Sequence, residues 1–263
     1  ALRFASRGKG LTKEELGYPM VSFGAVFDVL GDRIRSMGGT VETGSIVNRV
    51  IVENGQATGL ELQEDNEKTK AVYFDAIIST VPSSVFGKLA PSLPTEYTSQ
   101  LSSVTYLAAV LIVLVLDRPL TSIYWLNIAD RTIPFVAVIE QTNFIDKSHY
   151  NGKHIVYLAN YLDQQDPLYQ LDHTRLLEAY LPSLKRLNPE FDQSWIEESY
   201  FHRENAAQPV IGTDYAKQVP SHRTPINDLY LANTTQIYPE DRGTNYSVRI
   251  GRKVAHLLLT DRG

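Results

Sequence analysis

Apolar residues change their period along the chain, and each change marks an element. Phe23, Val26, Phe27, Leu30, Ile34 and Met37 recur at three- and four-residue spacing, which predicts an amphipathic helix from Ser22. The pair Gly38-Gly39 stops it. Alternation then predicts strands, a short one from Val41, a second over Ile46 to Val52 and a return strand over Ala57 to Leu62. Glu53-Asn54-Gly55 joins the last two, since Asn-Gly accepts the positive φ angles of a tight hairpin. Beyond a charged loop, Glu64 to Lys70, strands are expected over Ala71 to Phe74 and Ala76 to Thr80.

After Pro82 a helix over Ser83–Leu89 and a Pro-rich turn at Pro91–Pro94 lead into long β segments. These are Thr105–Leu116, Ile123–Ile128, Phe135–Glu140 and His154–Tyr161. A helix over Leu171 to Leu187 follows, which Pro182 should kink or split by removing a hydrogen bond. Trp195–His202 and Asp228–Ala232 read as strands, and a helix from about Asn245 to Leu259 closes the chain. A β-rich middle between two α/β stretches predicts a discontinuous domain with an insertion. The fold class is therefore α/β, with α+β character in the insertion. Residues 17–89 and 222–263 form one unit, 90–221 a second, and 1–16 an N-terminal extension.

Composition narrows the function classes. With 43% hydrophobic and 21% charged residues, the 263-residue chain can bury a real core. A net charge of −5 without a long Lys/Arg cluster argues against nucleic acid. The absence of cysteine excludes disulfides and thiolate chemistry, and fits a cytoplasmic location. The six histidines show no H-x-x-x-H spacing, so no metal site is expected. No signal-peptide pattern opens the chain, and the most apolar run, Tyr106 to Leu116, is too short for a membrane span. Asn233-Thr234-Thr235 and Asn245-Tyr246-Ser247 match the glycosylation triplet, a pattern short enough to arise by chance.

Three stretches carry a resemblance. The first runs from Gly17-Tyr18-Pro19 through the helix and Gly38-Gly39 to Thr43. The second holds Ile46 to Val50, the hairpin, and Phe74-Asp75-Ala76-Ile77-Ile78-Ser79-Thr80-Val81-Pro82. The third holds Leu229 to Asn233, Gly243-Thr244-Asn245-Tyr246 and Gly251 to Ala255. Their order resembles the C-terminal part of the FAD-dependent amine oxidase, protoporphyrinogen oxidase and phytoene desaturase superfamily.

That resemblance implies a Rossmann-like FAD-binding domain and a β-rich substrate domain. It implies that the backbone of Val47 meets the adenine and that Thr80-Val81-Pro82 leaves the sheet beside the cofactor. Asn233 would approach the ribityl–pyrophosphate region, with Arg242, Gly243, Thr244 and Asn245 near the flavin at a helix N-terminus, where the dipole favours negative charge. Gly251 and Ala255, four apart, would let the last helix pack closely on the sheet. Each residue also has a plainer reading: Val47 as a strand position in the core, Gly243 as a surface turn, Gly251 and Ala255 as helix packing alone.

Two departures qualify the resemblance. No G-x-G-x-x-G follows a strand, so the pyrophosphate cradle is missing. The chain is thus expected to be a fragment that carries little or no FAD by itself. Where monoamine oxidases place a cage tyrosine, this chain has Gly243 with Arg242 beside it, and Glu240-Asp241-Arg242 suits a polar or anionic substrate. The expected function is hydride-type oxidation of a small molecule by the full-length flavoenzyme. A flavin-dependent isomerase resembling UDP-galactopyranose mutase and a non-catalytic binding module are the alternatives. No catalytic acid or base is assignable from these residues.

Overall fold

The structure is a computed structural model that describes residues 17–64 and 68–263. The expected extension 1–16 and the middle of the charged loop lie outside the described residues.

Helix α1 (Phe23–Ser36) begins at Ser22, whose hydroxyl accepts the Ala25 N–H at 3.2 Å. Gly38, at φ +85°, and Gly39 return N–H groups to Arg35 and Ile34, closing the end with the left-handed cap the Gly pair predicts. Val41 does not join a strand: residues 39–46 run as coil with Gly44 at φ +75°.

Strands β1 (Val47–Glu53), β2 (Gln56–Gln63) and β3 (Thr69–Tyr73) form an antiparallel meander. Asn54 and Gly55, at φ 52° and 79°, make the β1–β2 turn. Strand β4 (Ile77–Ser79) is followed by α2 (Ser83–Leu89) and α3 (Thr95–Ser102). Strand β10 (Leu229–Leu231), 150 residues later, lies parallel to β4 in register Leu229 to Ile77 and Leu231 to Ser79. The two ends of the chain therefore share one sheet and one core. Val50, Ala57, Ile77 and Phe86 pack with Ile226, Leu229 and Leu231. Ala90, Leu93, Tyr97 and Leu101, which the sequence groups with the insertion, bury their side chains in this same cluster.

The insertion is a five-stranded antiparallel sheet in the order β6 (Trp125–Asn127), β7 (Ala137–Glu140), β8 (His154–Leu162), β5 (Tyr106–Leu116), β9 (Ile196–Pro209). Val110, Ile112, Leu114 and Leu116 of β5 face a second core with Leu176, Tyr180 and Leu184 of α5 (His173–Leu187), which follows the single turn α4 (Pro167–Gln170). Each such side chain contributes about 1.5–3 kcal/mol relative to exposure. Helix α5 runs through Pro182 without splitting. Pro182 and Glu178, whose carbonyl loses its helical partner to the proline, both lie on the exposed side, while Tyr180 and Leu184 are buried and hold the helix down.

The last helix, α6 (Thr244–Arg262), buries Ile250 and Val254 against Tyr230, Ala232 and Ile237. Gly251 and Ala255 lie instead on its exposed side, and nothing stands within 4 Å of where a Gly251 Cβ would be. The close packing expected of that pair is not made. Helix α1 is likewise uncovered: no residue in it is buried, and Phe23, Phe27 and Leu30 are all exposed.

Candidate functional site

Parallel strands end their carboxyl termini on one edge, and crevices there collect ligands in open α/β sheets. Strands β4 and β10 do this at Ser79 and Leu231. The chain leaving β4 passes Thr80 to Pro82 into α2, and the chain leaving β10 passes Ala232 and Asn233 into a 3₁₀ turn, Thr234–Gln236. Ser247, Ile250 and Gly251 sit on one face of the first two turns of α6. Together with Thr80, Pro82, Ala232, Asn233, Thr234, Ile237 and Ala206 of β9 they enclose a cavity of about 270 Å³.

A buried polar knot stands behind this cavity. The Asn233 side-chain amide donates to the Val81 carbonyl at 3.0 Å and to Ser83 Oγ at 3.2 Å. Its oxygen accepts the Thr235 N–H at 3.2 Å, and the Asn233 N–H donates to Gln236 Oε1 at 2.9 Å. Asn and Gln thus form a reciprocal cap at the 3₁₀ turn. Tyr215 donates to the Thr235 carbonyl at 2.9 Å, and burial pushes its phenol pKa up, which keeps it a donor. His222 Nδ1 lies 3.0 Å from the Leu231 carbonyl, and burial holds its imidazole below the usual range. The Ser83 N–H donates to Tyr106 Oη at 3.2 Å, tying the insertion's first strand to the same knot.

Of the sequence-predicted residues, Thr80, Pro82 and Asn233 line the cavity. Val81 turns its carbonyl to Asn233 and packs its side chain on the β1–β2 core. Gly243 caps α6 in extended backbone, φ −177°, with no side chain capping Thr244 or Asn245. Val47 opens β1, half-buried, in the three-stranded sheet and away from the cavity lining. Arg242 is half-buried and reaches the insertion, donating from Nη2 to Tyr161 Oη at 2.6 Å and from Nε to Gln208 Oε1. Sequence reasoning missed Ala206, Thr234, Ile237, Ser247 and Ile250, small or apolar residues that carry no chemical signature.

The walls are mostly small side chains with Ile237 and Ile250, and α6 contributes Ser247, Ile250 and Gly251 to them. Arg242, Gly243, Thr244 and Asn245 lie outside the lining; the α6 N-terminus carries no side-chain cap, a donor set that suits an anionic group. Among the described residues no group of three or more His, Asp and Glu is placed to hold a metal, and no helix is long and apolar enough to cross a membrane.

Comparison with known proteins agrees with this architecture. Solved structures similar to the chain include a protein assigned as a protoporphyrinogen oxidase from Exiguobacterium sp. 255-15, with TM-score 0.65, 15% identity, and coverage of 89% of this chain and 51% of that one. Putrescine oxidase bound to putrescine is similar at TM-score 0.62 and 15% identity, over 86% of this chain and 51% of that one. Reduced UDP-galactopyranose mutase is similar at TM-score 0.60 and 16% identity, over 74% and 42%. The chain thus spans about half the length of the structures it matches. No curated protein matches its sequence significantly. The model of the flavin containing amine oxidoreductases matches residues 24–256. The chain belongs to the flavin-containing amine oxidoreductase family.

Proposed function

We propose that this chain supplies the C-terminal part of an FAD-binding domain and the substrate domain of an FAD-dependent oxidoreductase that oxidises a small polar or anionic molecule. The observation that carries the reading is the cavity at the carboxyl ends of β4 and β10, walled by α6, in a chain of this family. Thr80, Pro82, Asn233 and the first turn of α6 from Gly243 to Asn245 would hold FAD, and Val47 would meet its adenine end. FAD supplies the acceptor for a hydride leaving a substrate carbon. The residues around it orient and exclude water: Ala206 and Ile237 form apolar wall, and the Asn233 knot fixes both strand ends before any ligand arrives.

This chain by itself is expected to hold FAD weakly, since a G-x-G-x-x-G cradle is absent from its sequence. The full-length protein tests the reading. Stoichiometric flavin after reconstitution, bleached anaerobically by an organic substrate, is the expected result. Full-length protein that takes up no flavin would overturn it. Conversion of UDP-galactopyranose by externally reduced enzyme, without net bleaching, would favour the mutase-like alternative.

A further inference from the structure

One face of the five-stranded sheet is covered by α5; on the other, Ala137 and Ile139 are buried, Ala109, Leu111, Tyr157 and Ala159 are half-buried and Tyr161 is exposed. Residues directly opposite in antiparallel strands point to the same side. Tyr157, Ala159 and Tyr161 of β8 therefore share the face of Ala137 of β7 and Ala109 and Leu111 of β5, opposite the face that α5 covers. Ala137, Ala159 and Leu111 form one cross-strand row, with Tyr157 and Tyr161 on either side of it. The patch is apolar and flanked by two tyrosines.

Arg242 stands at its edge. The guanidinium carbon lies 5.4 Å from the Tyr161 ring centroid, and its two hydrogen bonds go to the neutral side chains of Tyr161 and Gln208. Asp241 is spent on the Arg242 backbone N–H, and Glu204, across Ala109 on the same face, turns back to the Ala206 N–H at 3.1 Å. Among the described residues no carboxylate pairs with the Arg242 side chain, and its Nη1 donates no hydrogen bond. A half-buried guanidinium with donors to spare and an uncompensated charge is matched to a planar oxyanion, which it can bind through parallel N–H bonds.

We infer that Arg242 is a specificity-determining residue for an amphipathic anion, whose carboxylate or phosphate it holds at Tyr161 while the apolar body lies on the half-buried Ala109, Leu111 and Ala159 of the same face. Calling that anion the substrate rests on the proposed oxidoreductase reading; the binding site itself does not. Its two neutral partners orient the fork, and the exposed phenol of Tyr161, 42% accessible, leaves the approach open. The loop before α6 thereby couples the cavity beside that helix to the sheet face that would carry the rest of the ligand.

Calorimetric titration of the full-length protein, with and without FAD, tests this using octanoate, octyl phosphate and octanol as probes. Octanoate or octyl phosphate should bind roughly tenfold or more tightly than octanol, the scale of a charge-assisted pair. Whichever anion binds more tightly names the source of the charge. Arg242→Gln should erase the preference, Arg242→Lys should keep part of it, and Arg186→Gln, a surface control paired with Asp130, should leave it unchanged. Equal affinity for octanoate and octanol, or an intact preference in a folded Arg242→Gln protein, would overturn the inference. An Arg242-dependent preference in protein that takes up no FAD would keep the anion site and remove the oxidoreductase reading. FAD uptake without the preference would do the reverse.

Discussion

The side-chain amide of Asn233 donates to the carbonyl of Val81 at 3.0 Å, joining two strand ends that are 152 residues apart in the chain. All of the amide's polar atoms are engaged inside the protein, on Val81, Ser83 and Thr235. Its first role is therefore to hold the cavity's floor in place.

Asn233→Ala should destabilise the fold by about 1–3 kcal/mol, because the Val81 carbonyl and the Ser83 hydroxyl lose a buried partner and the reciprocal cap is lost. Urea denaturation measures it directly. An unchanged unfolding midpoint would show that the knot is not structural.

Gly243 separates backbone geometry from ligand contact. Its φ of −177° is open to any residue, and an added Cβ would meet only the movable Asn245 Oδ1 at 2.8 Å. Gly243→Val should thus shift stability by only about 0.5 kcal/mol, while weakening FAD binding in the full-length protein if the helix end approaches the cofactor. Asn54→Ala should do the opposite. At φ 52° it forces a left-handed alanine, costing about 1 kcal/mol, with FAD affinity unchanged. Paired melting and FAD titration of the two variants checks the contrast.

Acid should loosen the fold through two histidines. Burial is the leading cause that holds His154 and His222 below their ordinary value of 6.5. As pH falls the unfolded chain takes up these protons first, so their contribution is full above the ordinary imidazole range. It is lost as pH falls through the ordinary imidazole range toward the lower folded values. Denaturation midpoints across that window should fall for the wild type and fall less for a His154→Gln, His222→Gln double variant. Identical profiles would contradict this.

Much of the fold was legible because it follows from periodicity. The Ser22–Gly39 helix, the Asn54-Gly55 hairpin and the buried β5 strand each rest on local spacing and turn chemistry. That the two ends share one unit follows from the α/β stretches flanking the β-rich middle, but the parallel pairing of β10 with β4 has no local signal, since nothing in sequence links Leu229 to Ile77. What lay beyond reading was long-range. Ala206 enters the cavity because β9 runs on to Pro209, seven residues past the strand end the sequence predicts at His202. Pro182 fails to break α5 because tertiary burial of its neighbours outweighs one hydrogen bond. Asn233 stands out in the sequence, but its partners Val81 and Ser83 come from a segment no sequence window contains.

If FAD occupies the cavity beside α6, as proposed, Gly251 gives the sharpest access to it. Gly251 lines that cavity from the exposed side of the helix, with nothing within 4 Å of an added Cβ. A Gly251→Leu side chain therefore has room in the fold and should stabilise α6 by about 0.5–1 kcal/mol, since glycine is a poor helix residue. The same side chain would fill space that FAD bound in this cavity needs. The deciding measurement is the FAD dissociation constant of the full-length Gly251→Leu protein beside its melting temperature. The account predicts equal or higher melting temperature with FAD affinity lowered by roughly tenfold or more, the cost of overpacking by one large side chain. Wild-type FAD affinity in that variant would contradict it.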